Sequence, residues 1–130
     1  MKQRVAAIII ENKKVLMVTG YGSDLFWTPG GTMENGESQE VTLKRELLEE
    51  LGVKLISMKP YLDYEPPKGE TTYVSRSYSY LVNYEGKLKL NNEITEMIWY
   101  SKENFLNQNP RLVKAIETKL IPKLIEDNLI

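Results

Sequence analysis

The sequence predicts a mixed α/β or α+β sandwich: a mixed sheet, one strong helix packed on it, and a second helix at the C-terminus. Three features carry that expectation. β-Branched and aromatic runs occupy residues 5–19 and much of 54–100, a capped helical segment stands between them, and apolar residues recur at three and four after Pro110. At 130 residues, with 42% apolar and 27% charged side chains, the chain has the size and composition of one globular domain, expected to span residues 1–130.

Residues 5–10 are β-branched and nearly all apolar, Glu11-Asn12-Lys13-Lys14 interrupts them, and residues 15–19 resume the pattern, which predicts a hairpin. Residues 21–32 are rich in glycine and aromatics, and Pro29-Gly30-Gly31 forbids regular structure, so a sharply turning loop is expected there. A helix is expected over 39–51. Ser38 is a good N-cap, Glu40 puts negative charge in the first turn, and Gly52 stands where a left-handed cap residue belongs. Strands are expected over 54–62 and 73–84, joined by a polar, proline-containing surface loop, with a turn at Glu85-Gly86 and a short strand over 96–100. Ser101 caps a brief helix toward Leu106. Over 110–127 the apolar residues Leu112, Val113, Ile116, Leu120, Ile121, Leu124 and Ile125 share one helical face, with a kink expected at Pro122.

Seventeen basic against eighteen acidic residues leave a net charge of −1, which supplies no field for general nucleic-acid binding. Neither cysteine nor histidine occurs, so thiolate nucleophiles, imidazole catalysis and sulfur- or histidine-bound zinc are excluded. Acid–base work and metal binding fall to carboxylates. The apolar run at 5–10 is too short for a signal-peptide core or a membrane span, and a cytoplasmic protein without membrane partners is expected.

At about 100° per residue, Glu46, Glu49 and Glu50 share one arc of the predicted helix, while Val41, Leu47, Leu48 and Leu51 fall on the side expected to meet the sheet. The three carboxylates form an acidic ridge pointing away from the core. Like charges so placed repel, and a hard divalent cation such as Mg²⁺ or Mn²⁺, which takes oxygen ligands and bridges to phosphate, would relieve that repulsion. A solvated acidic face is the alternative at this point.

The surrounding residues favour the cation. From Gly31, five residues lead to Glu37, seven more lead to Arg45, and Arg45-Glu46-Leu47-Leu48-Glu49-Glu50-Leu51-Gly52-Val53 follows. This resembles the Nudix box, which reads Gly, five residues, Glu, seven residues, Arg-Glu-U-x-Glu-Glu-x-Gly-U with U aliphatic. Every required position is filled; chance would fill them in a chain this size with odds on the order of one in a million. On these residues the chain is identified as a member of the Nudix hydrolase family, resembling its MutT-like branch.

The resemblance implies a Nudix-type α/β/α sandwich with a catalytic loop-helix-loop, and Mg²⁺-dependent hydrolysis of a nucleoside diphosphate derivative, Mn²⁺ serving as a substitute. It implies Glu46, Glu49 and Glu50 as metal ligands. Glu37 would pair with Arg45 to buttress the loop and aim the ligands. A further acidic ligand is expected before the strand carrying Trp99, with Glu93 preferred to Glu96 because Asn91-Asn92 gives its segment loop character. The general base lies among Glu46, Glu49 and Glu93. The Gly30 and Gly31 amides are candidates to face phosphate oxygens or the metal's water shell. For stacking on a base, Phe26, Tyr78 and Tyr80 are the candidates carried forward from a set that includes Tyr21, Tyr61 and Tyr64. The expected substrate is a nucleoside triphosphate. An ADP-sugar or dinucleotide is the second enzymatic reading, and a non-catalytic nucleotide sensor is the reading from another class. Oligomeric state is not written in the sequence, and a homodimer is compatible with it.

Overall fold

The computed structural model describes residues 2–69 and 74–130. Its elements in chain order are β1 (Lys2–Ile8), β2 (Ile10–Glu11), β3 (Lys14–Gly20), β4 (Gly30–Thr32), α1 (Gln39–Leu51), β5 (Lys54–Tyr64), β6 (Val74–Glu85), β7 (Ile94–Tyr100), α2 (Lys102–Leu106) and α3 (Ile121–Glu126), the last preceded by a π-helical turn at Ile116–Leu120. Two sheets result: one in the order β4-β1-β6-β5 and one in the order β2-β3-β7. β1 runs parallel to β6 and antiparallel to β4, so the larger sheet is mixed, as expected.

β1 and β3 are buried on both faces, which is why they read as continuous apolar runs rather than as an alternation. Val5, Ala7, Leu16 and Val18 pack under Leu43, Leu47 and Leu51 of α1, while Ile8, Val15 and Met17 pack under Leu120, Ile121 and Leu124. Each such side chain contributes roughly 1.5–3 kcal/mol by leaving water. The layers are therefore helix, sheets, helix.

The expected hairpin is real but short. Ile10–Val15 and Glu11–Lys14 pair across it and the Leu16 amide donates to the Ile9 carbonyl at 2.9 Å, the turn being closed by Asn12 and Lys13 at φ 51° and 59°, while β1 belongs to the other sheet. α1 spans the expected residues: the Ser38 side chain accepts from the Val41 amide, and Gly52 at φ 67° returns its N–H to Leu47 and Leu48. Its roll differs from expectation. Val41 and Leu48 are exposed, at 49% and 62%, while Thr42, Leu43 and Glu50 are buried. Leu43 shifts the apolar face toward the carboxylates, and the small glycines of β4 let that side of the helix close on the sheet.

The loop expected over 21–32 ends in a strand, because Gly30, Gly31 and Thr32 pair with Ala6, Val5 and Arg4. β5 runs to Tyr64, and Tyr73, expected to begin the next strand, lies outside the described residues. The terminal helix starts later than expected. Phe26 takes the backbone of the 111–113 segment, accepting from the Val113 amide at 2.9 Å and donating to the Arg111 carbonyl at 3.1 Å, so helix forms only from Lys114. The expected kink at Pro122 appears instead as the wide π turn ahead of a residue that cannot donate back to Thr118.

Candidate active site

Gly30 and Gly31 decide how closely α1 meets β4. A Cβ at Gly30 would overlap the Val5 carbonyl and lie 2.7 Å from Ala6 Cα, and its φ of 151° already favours glycine. A Cβ at Gly31 would overlap the Glu46 carboxyl. The bare backbone therefore forms the wall against which Glu46 and Glu50 lie. The Gly30 amide donates to Glu50 Oε1 at 3.2 Å, so this N–H orients a carboxylate instead of facing a phosphate directly.

Beside that wall opens a cavity of about 560 Å³. Gly30, Gly31, Glu46 and Glu50 line one part of it; Tyr21, Trp27, Val113, Ala115 and Ile116 line another; Arg4, Thr32, Tyr64 and Ser77 lie on its sheet. The Tyr21 and Trp27 ring centroids stand 6.4 Å apart with planes 34° from parallel.

Arg45 ties the carboxylates together. It donates to both oxygens of Glu37, from Nε at 2.8 Å and from Nη2 at 2.9 Å, and its Nη1 reaches Glu46 at 2.8 Å and Glu49 at 3.5 Å. Nη2 also donates to the Thr32 carbonyl at 3.3 Å, which fastens the hub to β4. Glu37 accepts further bonds from the Glu34 amide and the Thr42 hydroxyl, both at 2.9 Å. The Arg45 guanidinium and those donors hold the Glu37 carboxyl down at about 2, and Glu37 raises Arg45 in return. The sequence placed Glu37 and Arg45 together, and the structure brings them together.

The glutamate ridge divides. Glu50 is 7% exposed, and burial, reinforced by the charge of Glu46, pushes its carboxyl up to about 7 against the lowering pull of the Gly30 amide and Arg4. Glu46, its side chain 14% exposed, is likewise raised by burial, with Arg45 opposing. Glu49 is the outward member at 48%. The ridge points partly inward because the helix is rolled toward β4.

Glu93 sits in the turn before β7 with an exposed side chain, and Glu96 is exposed on β7 opposite Thr19; neither lines the cavity. The loop carrying Glu93 does dock on α1, through Asn91 N–H to the Glu50 carbonyl at 3.0 Å and Asn92 Nδ2 to the Glu49 carbonyl at 3.1 Å. The proposed stacking residues also stand elsewhere. Phe26 is buried at 7% against the C-terminal layer, Tyr80 donates to Gln39, and Tyr78 lies on β6 away from the cavity lining. Of the wider aromatic set, Tyr21 and Tyr64 reach the cavity, while Tyr61 donates to the Lys123 carbonyl. Arg4, Ser77, Val113 and Ile116 carry no sequence signal of a site. Only the cross-strand registers and the pairing of residue 26 with residues 111–113 bring them there.

Among the described residues, no three Asp, Glu, Cys or His side chains are gathered as a ready-made metal cage. The donor chemistry nevertheless fits a hard divalent cation. Glu46 and Glu50 are oxygen donors on one cavity wall, and their mutual repulsion is part of what raises Glu50. A cation keeping several of its waters needs few protein ligands.

The family model of the NUDIX domain matches residues 1–124. A search of curated proteins finds no match. Among solved structures, the chain is similar to one from a study of MutT of Aliivibrio salmonicida and Vibrio cholerae, at TM-score 0.78 and 21% identity over 97% of this chain and 98% of that one. The E. coli ORF135 protein aligns at TM-score 0.71 and 25% identity over 98% and 92% of the two chains. A MutT NUDIX hydrolase from Burkholderia pseudomallei aligns at TM-score 0.71 and 18% identity over 96% and 95%. With Gly31, Glu46 and Glu50 of the box on one cavity wall and the family model spanning nearly the whole sequence, the chain belongs to the NUDIX domain family.

Proposed function

We propose that this protein hydrolyses a phosphoanhydride bond of a nucleoside triphosphate in a Mg²⁺-dependent reaction, releasing pyrophosphate and a nucleoside monophosphate. The observation that carries the reading is the placement of Glu46 and Glu50 against a glycine wall in a cavity whose other part is aromatic and apolar. Charged phosphates suit the first part and a planar base the second.

Glu46, Glu49 and Glu50 would hold the divalent cation, which supplies neutralisation of phosphate charge and activation of water. The protein's own groups do the rest. Arg45, clamped by Glu37, fixes the Glu46 carboxylate, and the Gly30 amide fixes Glu50, so neither must reorganise when substrate arrives. The proton of the attacking water passes to a carboxylate oxygen. Of Glu46, Glu49 and Glu93, Glu46 is the one that lines the cavity and so suits that role. Trp27 and Tyr21 offer ring faces for the base.

The test is a panel of nucleoside triphosphates, ADP-sugars and dinucleotides incubated with Mg²⁺ or Mn²⁺, with products separated by ion-exchange chromatography. Pyrophosphate plus monophosphate is expected, and Glu50→Gln should lower turnover about a hundredfold while remaining folded. Two monophosphates from a dinucleotide, with triphosphates untouched, would replace the substrate assignment. Binding with no turnover of any member would mark a sensor.

A further inference from the structure

One charged group in the cavity has no part in the reading above: the guanidinium of Arg4. The strand registers place it within a single row across the larger sheet. Thr32 on β4 is opposite Arg4 on β1, Arg4 is beside Ser77 on β6, and Ser77 is opposite Tyr64 on β5. All four line the cavity, and Arg4 alone is charged.

Arg4 differs from the other arginines. Arg45, Arg76 and Arg111 each have a carboxylate within 4.0 Å, whereas among the described residues Arg4 has none. Its donors go to the Thr28 carbonyl and, at 3.5 Å, to the Thr28 hydroxyl. Those bonds orient the guanidinium without neutralising it. Its charge is felt across the cavity by Glu46 and Glu50 but is paired with neither, so it is only partly compensated, and an entering anion completes the compensation. The planar fork of arginine matches two oxygens of a phosphoryl group. Arg4 is also one strand in from Thr32, the residue that follows the glycine wall.

We propose that Arg4 is a substrate-binding residue, receiving the oxygens of the phosphoryl group that lies between the Glu46–Glu50 part of the cavity and its aromatic part. This rests on the reading of the cavity as a nucleotide site. The competing role is a tether, in which Arg4 only ties β1 to the segment before Pro29.

Calorimetric titration of inorganic pyrophosphate, with Mg²⁺ in excess, separates the two. Arg4→Gln should weaken binding about tenfold or more, and Arg4→Lys, which keeps the charge but loses the fork, by less. Binding by Arg4→Gln within about twofold of the natural protein overturns the proposal. Should Arg4→Gln fail to fold, the Arg4 Nε–H resonance of the natural protein decides, assigned by its loss in Arg4→Lys. A shift on adding pyrophosphate supports contact, and a stationary resonance overturns it. Hydrolysis is scored separately. A protein that binds pyrophosphate through Arg4 but cleaves no nucleotide keeps this inference and loses the hydrolase reading. Efficient cleavage with an unchanged KM in Arg4→Gln does the reverse.

Discussion

Glu37 bears the arrangement of the other carboxylates without lining the cavity itself. Two of its acceptors hold Arg45, and Arg45 in turn holds Glu46 and Glu49, so a change at Glu37 reaches the site through the guanidinium. Glu37→Gln keeps the size of the side chain and removes the charge. Arg45 would then shift toward Glu46 and draw off the charge on which the proposed metal binding depends. The expected outcome is a tenfold to hundredfold loss of kcat with a raised Mg²⁺ requirement, the range seen when groups that orient ligands are removed. A Mg²⁺ titration of steady-state rates checks it; an unchanged Mg²⁺ midpoint would mean that Arg45 is held well enough by Thr32. These residues were legible in the sequence because their spacing on one helix and its preceding loop is local. Arg4 was not, since a single charge at the head of an apolar run says nothing about which strands will lie beside it.

The junction of β4 and α1 is built by adjacent glycines with different tasks. Gly30 faces backbone: a Cβ there meets the Val5 carbonyl and Ala6, and φ is 151°. Gly31 faces the end of a side chain, the Glu46 carboxyl. Gly30→Ala should therefore destabilise the fold by about 3 kcal/mol or more, because two strands must separate. Gly31→Ala should cost about 1 kcal/mol or less while displacing Glu46 and cutting kcat about a hundredfold, the effect expected when a reacting group moves by an ångström. Urea denaturation and kinetics on the two variants measure the contrast, and equal loss of stability in both would remove the distinction. The same junction shows where local pattern reading ends. Ser38, Gly52 and the span of α1 follow from neighbouring residues and were legible, but the roll of the helix depends on what it packs against. A wheel drawn from α1 alone gave Val41 and Leu48 to the core; the glycines of β4 gave that place to Leu43 and Glu50. The division of residues 5–19 between two sheets is likewise a matter of long-range pairing, which an apolar run does not encode.

Burial of Glu50 couples the folding of the whole molecule to pH and, through the proposed metal site, to a cation. Its carboxyl titrates at about 7 in the folded protein against the usual 4.5, so between those values the folded state binds the extra proton. Stability from this group is fully present below about pH 4.5 and is lost as pH rises through 7, a difference of about 3 kcal/mol. Glu37 has the opposite sign in a separate window: its contribution is present above 4.5 and is lost as pH falls toward 2. Metal-free protein should therefore melt at a lower temperature at pH 8 than at pH 5.5. In Glu50→Gln, whose amide oxygen can still accept from Gly30, that slope should flatten and the melting temperature at pH 8 should rise. A cation favours the ionised carboxylate, so the increase in melting temperature on adding Mg²⁺ should be larger at pH 8 than at pH 5.5. Ligand at a hundred times its Kd is worth about 2.7 kcal/mol, enough to offset most of the cost of the buried charge. Scanning calorimetry of both proteins at pH 5.5 and pH 8, in chelator and in Mg²⁺, gives the eight curves needed. Parallel slopes for the natural protein and the Glu50→Gln variant in chelator would show that the buried carboxyl does not control stability, and an equal Mg²⁺ effect at both pH values would place the cation away from it.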